Sequence, residues 1–125
     1  MTGTTRYTIA VARYFEAWNS TDPAARTKAV AAAWTEDGGY TDPLAEATGH
    51  DALAAVIAGV RELFPGFAFR QTGTVDGHHD TARFSWELVA DADGSAPVAG
   101  SDVIVLADDG RIRSVIGFLD RVPTA

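Results

Sequence analysis

The sequence predicts an α+β fold, with three helices in its first half and a mainly antiparallel sheet in its second half. Apolar residues recur about every 3.6 positions up to residue 64 and at every second position further on, which indicates a change from helix to strand. Asp-Gly pairs at 76–77, 93–94 and 109–110 divide the second half into strand-length segments. Because the helices precede the strands, they should pack on one side of the sheet. A length of 125 residues fits one domain, 1–125, with one core.

The first two helices are predicted by an apolar stripe and by a start signal. The stripe of the first helix consists of Tyr7, Val11, Tyr14, Phe15 and Trp18. Asn19-Ser20 should end this helix. Asp22-Pro23 should begin the second helix, because aspartate caps free backbone amides and proline fits the first turn. The second helix is expected to run to about Trp34.

A short extended segment, 38–42, should end at Pro43 and lead into the third helix. This helix is expected to begin near 49–51 and to end at Pro65-Gly66. Its predicted buried face consists of Leu53, Val56, Ile57, Val60 and Phe64.

The alternation of residues 81–88 predicts a strand with one apolar and one polar face. The apolar set is Ala82, Phe84, Trp86 and Leu88. Further strands are expected at 67–75, 98–107 and 112–122, with turns at the three Asp-Gly pairs. Around 101–107 both faces of the strand are largely apolar, so the outer face needs cover. A second copy of the chain would supply it, which predicts a homodimer through the outer face of the sheet.

The composition argues against several classes of partner. The formal net charge is −7 and the ten basic residues are scattered, whereas nucleic-acid binding needs clustered Lys and Arg. An acidic surface also disfavours anionic membranes, and no apolar run is long enough to span a bilayer. There is no cysteine, so there is no disulfide or thiolate metal site. The first six residues lack the features of a signal peptide, so a cytoplasmic location is expected.

Asp102 is the most informative polar residue, since by alternation it shares a face with Ile104 and Leu106. Burial on that face would raise the pKa of its carboxyl, and the protonated acid could donate a hydrogen bond. The alternative is that Asp102 lies at the strand end near water, or pairs with an arginine.

Asp42 and Tyr14 are the other candidates for chemistry. Pro43 forces an extended conformation on Asp42, which suits a carboxylate at a pocket mouth, although an ordinary Asx turn fits equally. Tyr14 lies on the apolar stripe, where a buried phenol needs a hydrogen-bond partner. It could also be a core aromatic whose hydroxyl meets water or backbone.

His78-His79-Asp80 resembles a metal site only superficially, because adjacent side chains on a strand point to opposite faces. No metal is therefore predicted, and one of these histidines could instead reach a pocket rim. Trp18, Trp34 and Trp86 could simply be core residues, as tryptophans more often are. Three such large flat side chains on predicted inward faces nevertheless fit an apolar ligand cavity. Its predicted lining is Trp18, Trp34, Val56, Ile57, Val60, Phe64, Phe84, Trp86, Leu88, Ile104 and Leu119.

The order of elements and several motifs resemble the nuclear-transport-factor-2-like superfamily. Asp109-Gly110-Arg111-Ile112, Gly117-Phe118 and Asp120 are typical of its SnoaL-like members. The resemblance covers nearly the whole chain, and it implies a cone-shaped domain in which three helices pack on a strongly curved sheet.

Within that superfamily the steroid isomerases are the most similar at the level of single residues. The matching motifs are Arg13-Tyr14, Thr41-Asp42-Pro43 and Ser101-Asp102-Val103-Ile104. The resemblance implies that Asp42 shuttles a proton while Tyr14 and protonated Asp102 donate to an oxyanion. The known logic of ketosteroid isomerase supplies these roles. Trp34 and Ile57 replace two supporting tyrosines, and Leu119 replaces a pocket tryptophan.

The resemblance implies cofactor-free isomerisation, cyclisation or dehydration of an apolar carbonyl compound. Two alternatives stay open. One is a ligand-binding or dimerisation module without turnover. The other is epoxide hydrolysis, which would need an Asp-Arg-Asp cluster, whereas Arg83 is predicted to face outward.

Overall fold

Three helices lie against one face of a six-stranded sheet in the computed structural model, which describes residues 3–123 and the side chains of residues 6–123. The helices are α1 (Gly3–Asn19), α2 (Pro23–Ala33) and α3 (His50–Leu63). The strands are β1 (Trp34–Thr41), β2 (Glu46–Thr48), β3 (Phe67–His78), β4 (Thr81–Ala90), β5 (Val98–Leu106) and β6 (Ile112–Arg121). The predicted α+β class is confirmed.

The sheet has the order β2-β1-β6-β5-β4-β3. Strands β3 to β6 form the predicted antiparallel meander, while β1 pairs with β6 in parallel and with β2 in antiparallel. Register shifts in three of these ladders help to curve the sheet. The parallel pair matters for the site because it brings the end of β1 beside β6.

Local sequence accounts for the helix boundaries. The Asp22 carboxylate accepts a hydrogen bond from the Ala25 amide at 2.8 Å, and Pro23 occupies the first turn of α2, as predicted. The helix ends one residue before Trp34, which begins β1. That strand is therefore longer than the predicted segment 38–42, and the short strand β2 was not predicted.

The turn predicted at Asp76-Gly77 is wrong. Both residues lie inside β3, and the chain reverses at His79-Asp80, where His79 has a φ of 52°. Gly77 instead makes room for an aromatic ring, since a Cβ there would lie 2.5 Å from Tyr7 Cδ2. The Tyr7 hydroxyl donates to the His79 carbonyl at 2.7 Å and so joins α1 to this turn.

The core lies between the helical layer and the inner face of the sheet. Its largest fully buried side chains include Trp34, Leu53, Ile57, Leu88 and Ile104. Outward residues of the meander are polar on β4, where Arg83 pairs with Asp76 at the surface. None of the helices within residues 3–123 has the length and apolarity needed to cross a membrane.

Candidate functional site

A cavity of about 400 Å³ opens between α1, the end of α3 and the inner face of the sheet. Its wall is almost entirely apolar, and its volume lies in the range of small-molecule sites. Leu44 and Leu63 line it yet are 84% and 76% exposed, so they lie at its mouth. The remaining apolar lining is Phe15, Trp18, Val60, Phe64, Phe69, Trp86, Leu88, Val98, Leu119, Val122 and Pro123.

Three ionisable side chains interrupt this apolar wall. Tyr14 comes from α1, Tyr40 from β1, and Asp42 from the residue directly after β1. Trp18 packs beside both phenols, with ring centroids 6.2 Å from Tyr14 and 5.5 Å from Tyr40. The polar groups of the cavity are therefore held together by one aromatic cluster.

Asp102 lies behind this wall and is only 2% exposed. It sits in the middle of β5, opposite Phe84 on β4 and Gly117 on β6, and does not line the cavity. Its Oδ2 accepts a hydrogen bond from the Tyr14 hydroxyl at 2.6 Å. The alternative position near water at a strand end is not adopted, and no arginine pairs with it among the described residues.

Burial raises the pKa of the Asp102 carboxyl to about 6, from an ordinary value of 3.8. Hydrogen bonding from Tyr14 and Trp86 opposes this rise, while the nearby charges of Asp42 and Asp120 add to it. Because the carboxyl is desolvated, it holds a proton under mildly acidic conditions and can then act as a hydrogen-bond donor.

The Tyr14 hydroxyl is also buried. Desolvation, followed by the negative charge of Asp102, raises the pKa of this phenol well above 10.0. The Trp18 side chain opposes the rise, although its buried Nε1 makes no hydrogen bond of normal geometry to any described residue. Tyr14 therefore stays protonated and serves as a donor, not as a base.

Asp42 forms an Asx turn and also lines the cavity. Its Oδ1 accepts hydrogen bonds from the Leu44 and Ala45 amides, both at 2.8 Å. Its Oδ2 accepts a short hydrogen bond of 2.5 Å from the Tyr40 hydroxyl. A carboxylate oxygen has two lone pairs, so one acceptor position on Oδ2 remains available.

Sequence reasoning missed Tyr40. Desolvation, and then the hydrogen bond to Asp42, raise the pKa of its phenol far above the usual value. The available signal was the spacing, because residues two apart on a strand share a face and Tyr40 is two before Asp42. The site thus has two phenol–carboxyl pairs: Tyr40 with Asp42 on the cavity wall, and Tyr14 on the wall with Asp102 behind it.

Gly117 brings the two carboxyl-bearing residues close together. A Cβ at this position would lie 2.8 Å from Asp102 Oδ1 and 3.4 Å from Asp42 Cβ. The absence of a side chain on β6 therefore leaves space for the Asp102 carboxyl and lets the end of β1 approach it.

The cavity residues predicted from the sequence fall into two groups. Six of them line the cavity: Trp18, Val60, Phe64, Trp86, Leu88 and Leu119. The other five do not: Trp34, Val56, Ile57, Phe84 and Ile104. Four of these five are at most 3% exposed, since they fill the layer between helices and sheet, whereas Val56 packs at the edge of the core.

His78 and His79 do not reach the rim of this cavity, so that expectation is wrong. They lie exposed at the β3–β4 turn, with their Nδ1 atoms 3.3 Å apart. The turn is tied to the first half of α1, away from the cavity. Within residues 3–123 no three His, Asp or Glu side chains gather as metal ligands.

Comparison with known proteins assigns the family. The model of the SnoaL-like domain matches residues 11–115. The structure of a proposed isomerase of the SnoaL-like family from Agrobacterium tumefaciens str. C58 has a TM-score of 0.87 and 41% identity, over 93% of this chain and 98% of that chain. A proposed SnoaL-like polyketide cyclase from Jannaschia sp. CCS1 has a TM-score of 0.76 and 19% identity, over 94% and 87%.

An NTF2-like protein from Cytophaga hutchinsonii ATCC 33406 shares the fold at 15% identity, with a TM-score of 0.63 over 91% of this chain and 89% of that chain. No curated protein sequence matched the chain significantly. The domain match and the similarity to the Agrobacterium protein agree over nearly the full length. The chain belongs to the SnoaL-like family.

Proposed function

We propose that the protein is a cofactor-free enzyme that moves a proton on an apolar carbonyl compound held in the cavity. The observation that supports this most directly is that a carboxylate, Asp42, and a phenol donor, Tyr14, lie on the wall of the same largely apolar cavity. A base and an oxyanion donor facing the same ligand are the two elements that enolisation needs.

In the proposed reaction Asp42 removes a proton from the carbon next to the ligand carbonyl. The electron pair of the C–H bond forms the enolate, and Tyr14 donates a hydrogen bond to the oxygen on which negative charge develops. If the ligand is β,γ-unsaturated, this enolate is a dienolate, and Asp42 returns the proton to its γ-carbon, which completes an isomerisation. An aldol-type cyclisation would begin with the same enolate.

Asp102 acts through Tyr14 in this proposal, because the carboxyl lies behind the cavity wall. In the resting protein the phenol proton is directed to Asp102 Oδ2. When Asp102 is protonated it can donate to the phenol oxygen instead, and this frees the phenol proton for the ligand. Successive hydrogen bonds in such a chain strengthen one another.

Tyr40 and the two turn amides position the proposed base. Together they fix the Asp42 carboxylate with three hydrogen bonds and leave one lone pair of Oδ2 for the substrate proton. The similar Agrobacterium protein, a proposed isomerase, agrees with this reaction class.

Hydrogen exchange tests the proposal without knowledge of the natural substrate. An aromatic ketone with exchangeable α-hydrogens is incubated with the protein in D₂O, and loss of the α-proton signal is followed by NMR. Asp42→Asn should reduce the protein-dependent exchange by about 10²- to 10⁴-fold, and Tyr14→Phe by about 10- to 10³-fold. Asp37→Asn, an exposed acid on β1, is the matched control and should leave exchange unchanged.

Ligand binding by the same variants is measured through the fluorescence of Trp18 and Trp86, which line the cavity. Asp42→Asn should bind the ketone nearly as tightly as the parent protein. If exchange in the parent protein is no faster than in buffer, or if the Asp42 variant exchanges at the parent rate, the enzymatic proposal is wrong.

The second candidate function is binding of an apolar ligand without turnover. One observation favours it: three of the four acceptor positions of Asp42 are already occupied in the resting structure. This candidate predicts tight fluorescence-detected binding of apolar ketones together with background exchange, and equal affinities for the parent protein and Asp42→Asn.

A further inference from the structure

A second hollow, of about 400 Å³, lies between α2 and the end of α3 and is separate from the cavity described above. Arg26 of α2 and Arg61 of α3 both line it, together with Thr21 and Glu62. The hollow therefore contains two guanidinium groups from two different helices.

Most of the hydrogen-bonding capacity of these two groups is unused. Arg26 is only 9% exposed, and its sole hydrogen bond to a described residue runs from Nη2 to the Ser20 carbonyl at 3.0 Å. Its buried Nε donates no hydrogen bond to any residue in the described part of the chain, and neither do the buried Nε and Nη1 of Arg61. Guanidinium nitrogens in a folded protein are normally hydrogen-bonded when buried, so these two cationic side chains lie without the protein partners that such groups usually have.

The two charges also lack a carboxylate in direct contact among the described residues. No ion pair between described residues includes Arg26 or Arg61, although Glu62 and Asp91 are near. By contrast, four other arginines among the described residues are ion-paired within 3.1 Å: Arg70, Arg83, Arg111 and Arg121. Burial, and then the charge of Arg26, lower the pKa of Arg61, while Asp91 counteracts this.

We propose that Arg26 and Arg61 form a binding site for a phosphoryl-type oxyanion between α2 and α3. Two forked cations match the charge of a phosphate dianion and offer it several N–H donors. The guanidinium nitrogens that are neither buried nor bonded, Nη1 of Arg26 and Nη2 of Arg61, are those a ligand in the hollow can reach. The site shares no residue with the cavity, so it stands independently of the proposed enzyme function.

Inorganic phosphate is the probe for the first test. The thermal unfolding temperature of the protein is measured at pH 7.5 in phosphate and in chloride at equal ionic strength, so that screening of the acidic surface is the same. Phosphate should stabilise the parent protein in a saturable manner. Arg61→Gln and Arg26→Gln should each weaken the apparent phosphate affinity about tenfold or more. If Arg26→Gln does not fold, Arg26→Lys is used instead. It should also weaken phosphate binding, because lysine lacks the forked N–H donors of the guanidinium group.

Arg113→Gln is the matched control, since it removes one charge from an exposed arginine on β6 and should leave phosphate affinity unchanged. Acetate and phenyl phosphate at the same ionic strength test the ligand class. Stabilisation by phosphate and phenyl phosphate, but not by acetate, supports the proposal. Equal stabilisation by acetate, no difference from chloride, or an equal loss in Arg113→Gln overturns it.

A second readout detects the site directly. In the ¹⁵N-labelled protein, the Nε–H signals of Arg26 and Arg61 should shift on addition of phosphate and titrate with one common affinity. The Nε–H signal of ion-paired Arg70 should stay in place. Shifts of equal size at all arginines would indicate general salt effects and contradict a specific site.

Discussion

The Tyr14 hydroxyl on α1 donates a 2.6 Å hydrogen bond to Oδ2 of Asp102 on β5, across 88 positions of sequence. Both groups are buried, so the phenol donates its hydrogen bond to the carboxyl in a desolvated setting. The charge state of the pair affects both stability and the availability of the phenol proton to a ligand.

Asp102 should make the protein less stable as the pH rises from about 4 to about 6. The folded protein holds the carboxyl proton more tightly than the unfolded chain, since the pKa increases from 3.8 to about 6 on folding. The folded state then binds more protons in this range, so the free energy of unfolding falls with pH, by about 3 kcal/mol in total, and stays lower above pH 6.

Comparison of the parent protein with Asp102→Asn isolates this contribution. The difference between their unfolding free energies, measured by urea denaturation from pH 4 to pH 7.5, should change in that range and be constant above it. Carboxyl ¹³C NMR should show Asp102 titrating near pH 6. Parallel stability curves, or titration of Asp102 near pH 4, would contradict the assignment.

The buried phenols should resist ionisation at alkaline pH. Burial raises the pKa of both Tyr14 and Tyr40 above 10.0, so the unfolded chain loses these protons first as the pH increases. Stability should therefore fall above about pH 10. Tyr40→Phe should reduce this alkaline loss, although it should cost about 1–3 kcal/mol at neutral pH because Asp42 loses its hydrogen bond.

The absorbance of tyrosinate near 295 nm provides the measurement. In the native protein Tyr14 and Tyr40 should ionise only together with unfolding, as followed by circular dichroism. Reversible ionisation of all tyrosines before the unfolding transition would show that the two phenols are not shielded.

Much of the architecture is predictable because each element has a local signal. The Asp22-Pro23 cap begins α2, and the alternation of 81–88 marks β4, whatever the rest of the chain does. Asp102 could be selected because an acid within an apolar alternation is energetically unusual. These features depend on neighbours in sequence, where periodicity and capping preferences are strong.

The wrongly predicted turn at Asp76-Gly77 and the unpredicted role of Tyr40 both depend on contacts between distant segments of the chain. Asp76-Gly77 has the composition of a turn, but the Tyr7 ring needs Gly77 inside a strand, and this was not visible locally. The parallel pairing of β1 with β6 is also non-local, and it determines that Tyr40 and Asp42 reach the cavity. Tyr14 was identified by its place on an apolar helix stripe and Asp102 by its place in an apolar strand. No local pattern predicted that the two side chains form a hydrogen bond.

The outer face of the sheet should form the homodimer interface predicted from the sequence. Ile116 and Phe118 on β6 are 42% and 57% exposed, and Val103 lies beside Ile116 on β5. Neighbouring exposed apolar side chains on a sheet face favour association. Phe118→Glu should shift the protein to a monomer in sedimentation velocity experiments, because a charge would be buried in the interface.

Ile9→Glu is the control for this variant, since Ile9 is 45% exposed on α1, on the opposite side of the sheet. It adds the same charge and should leave the oligomeric state unchanged. A monomeric parent protein, or equal dissociation in both variants, would exclude this surface as the interface.

Gly117→Ala should disturb the acid pair and destabilise the protein. The added methyl group would lie 2.8 Å from Asp102 Oδ1, closer than a van der Waals contact. The carboxyl cannot simply rotate away, because its other oxygen is held by Tyr14. We expect a loss of about 1–3 kcal/mol in unfolding free energy and a reduced rate of ketone hydrogen exchange.

Gly59→Ala is the matched control: Gly59 is exposed within α3 and a Cβ there meets nothing within 4 Å. This control should stabilise the protein by up to about 1 kcal/mol, because alanine favours a helix over glycine. Opposite signs for the two substitutions, measured by urea denaturation, would show that β6 must lack a side chain beside Asp102, whereas a neutral Gly117→Ala would mean that the carboxyl has room to move.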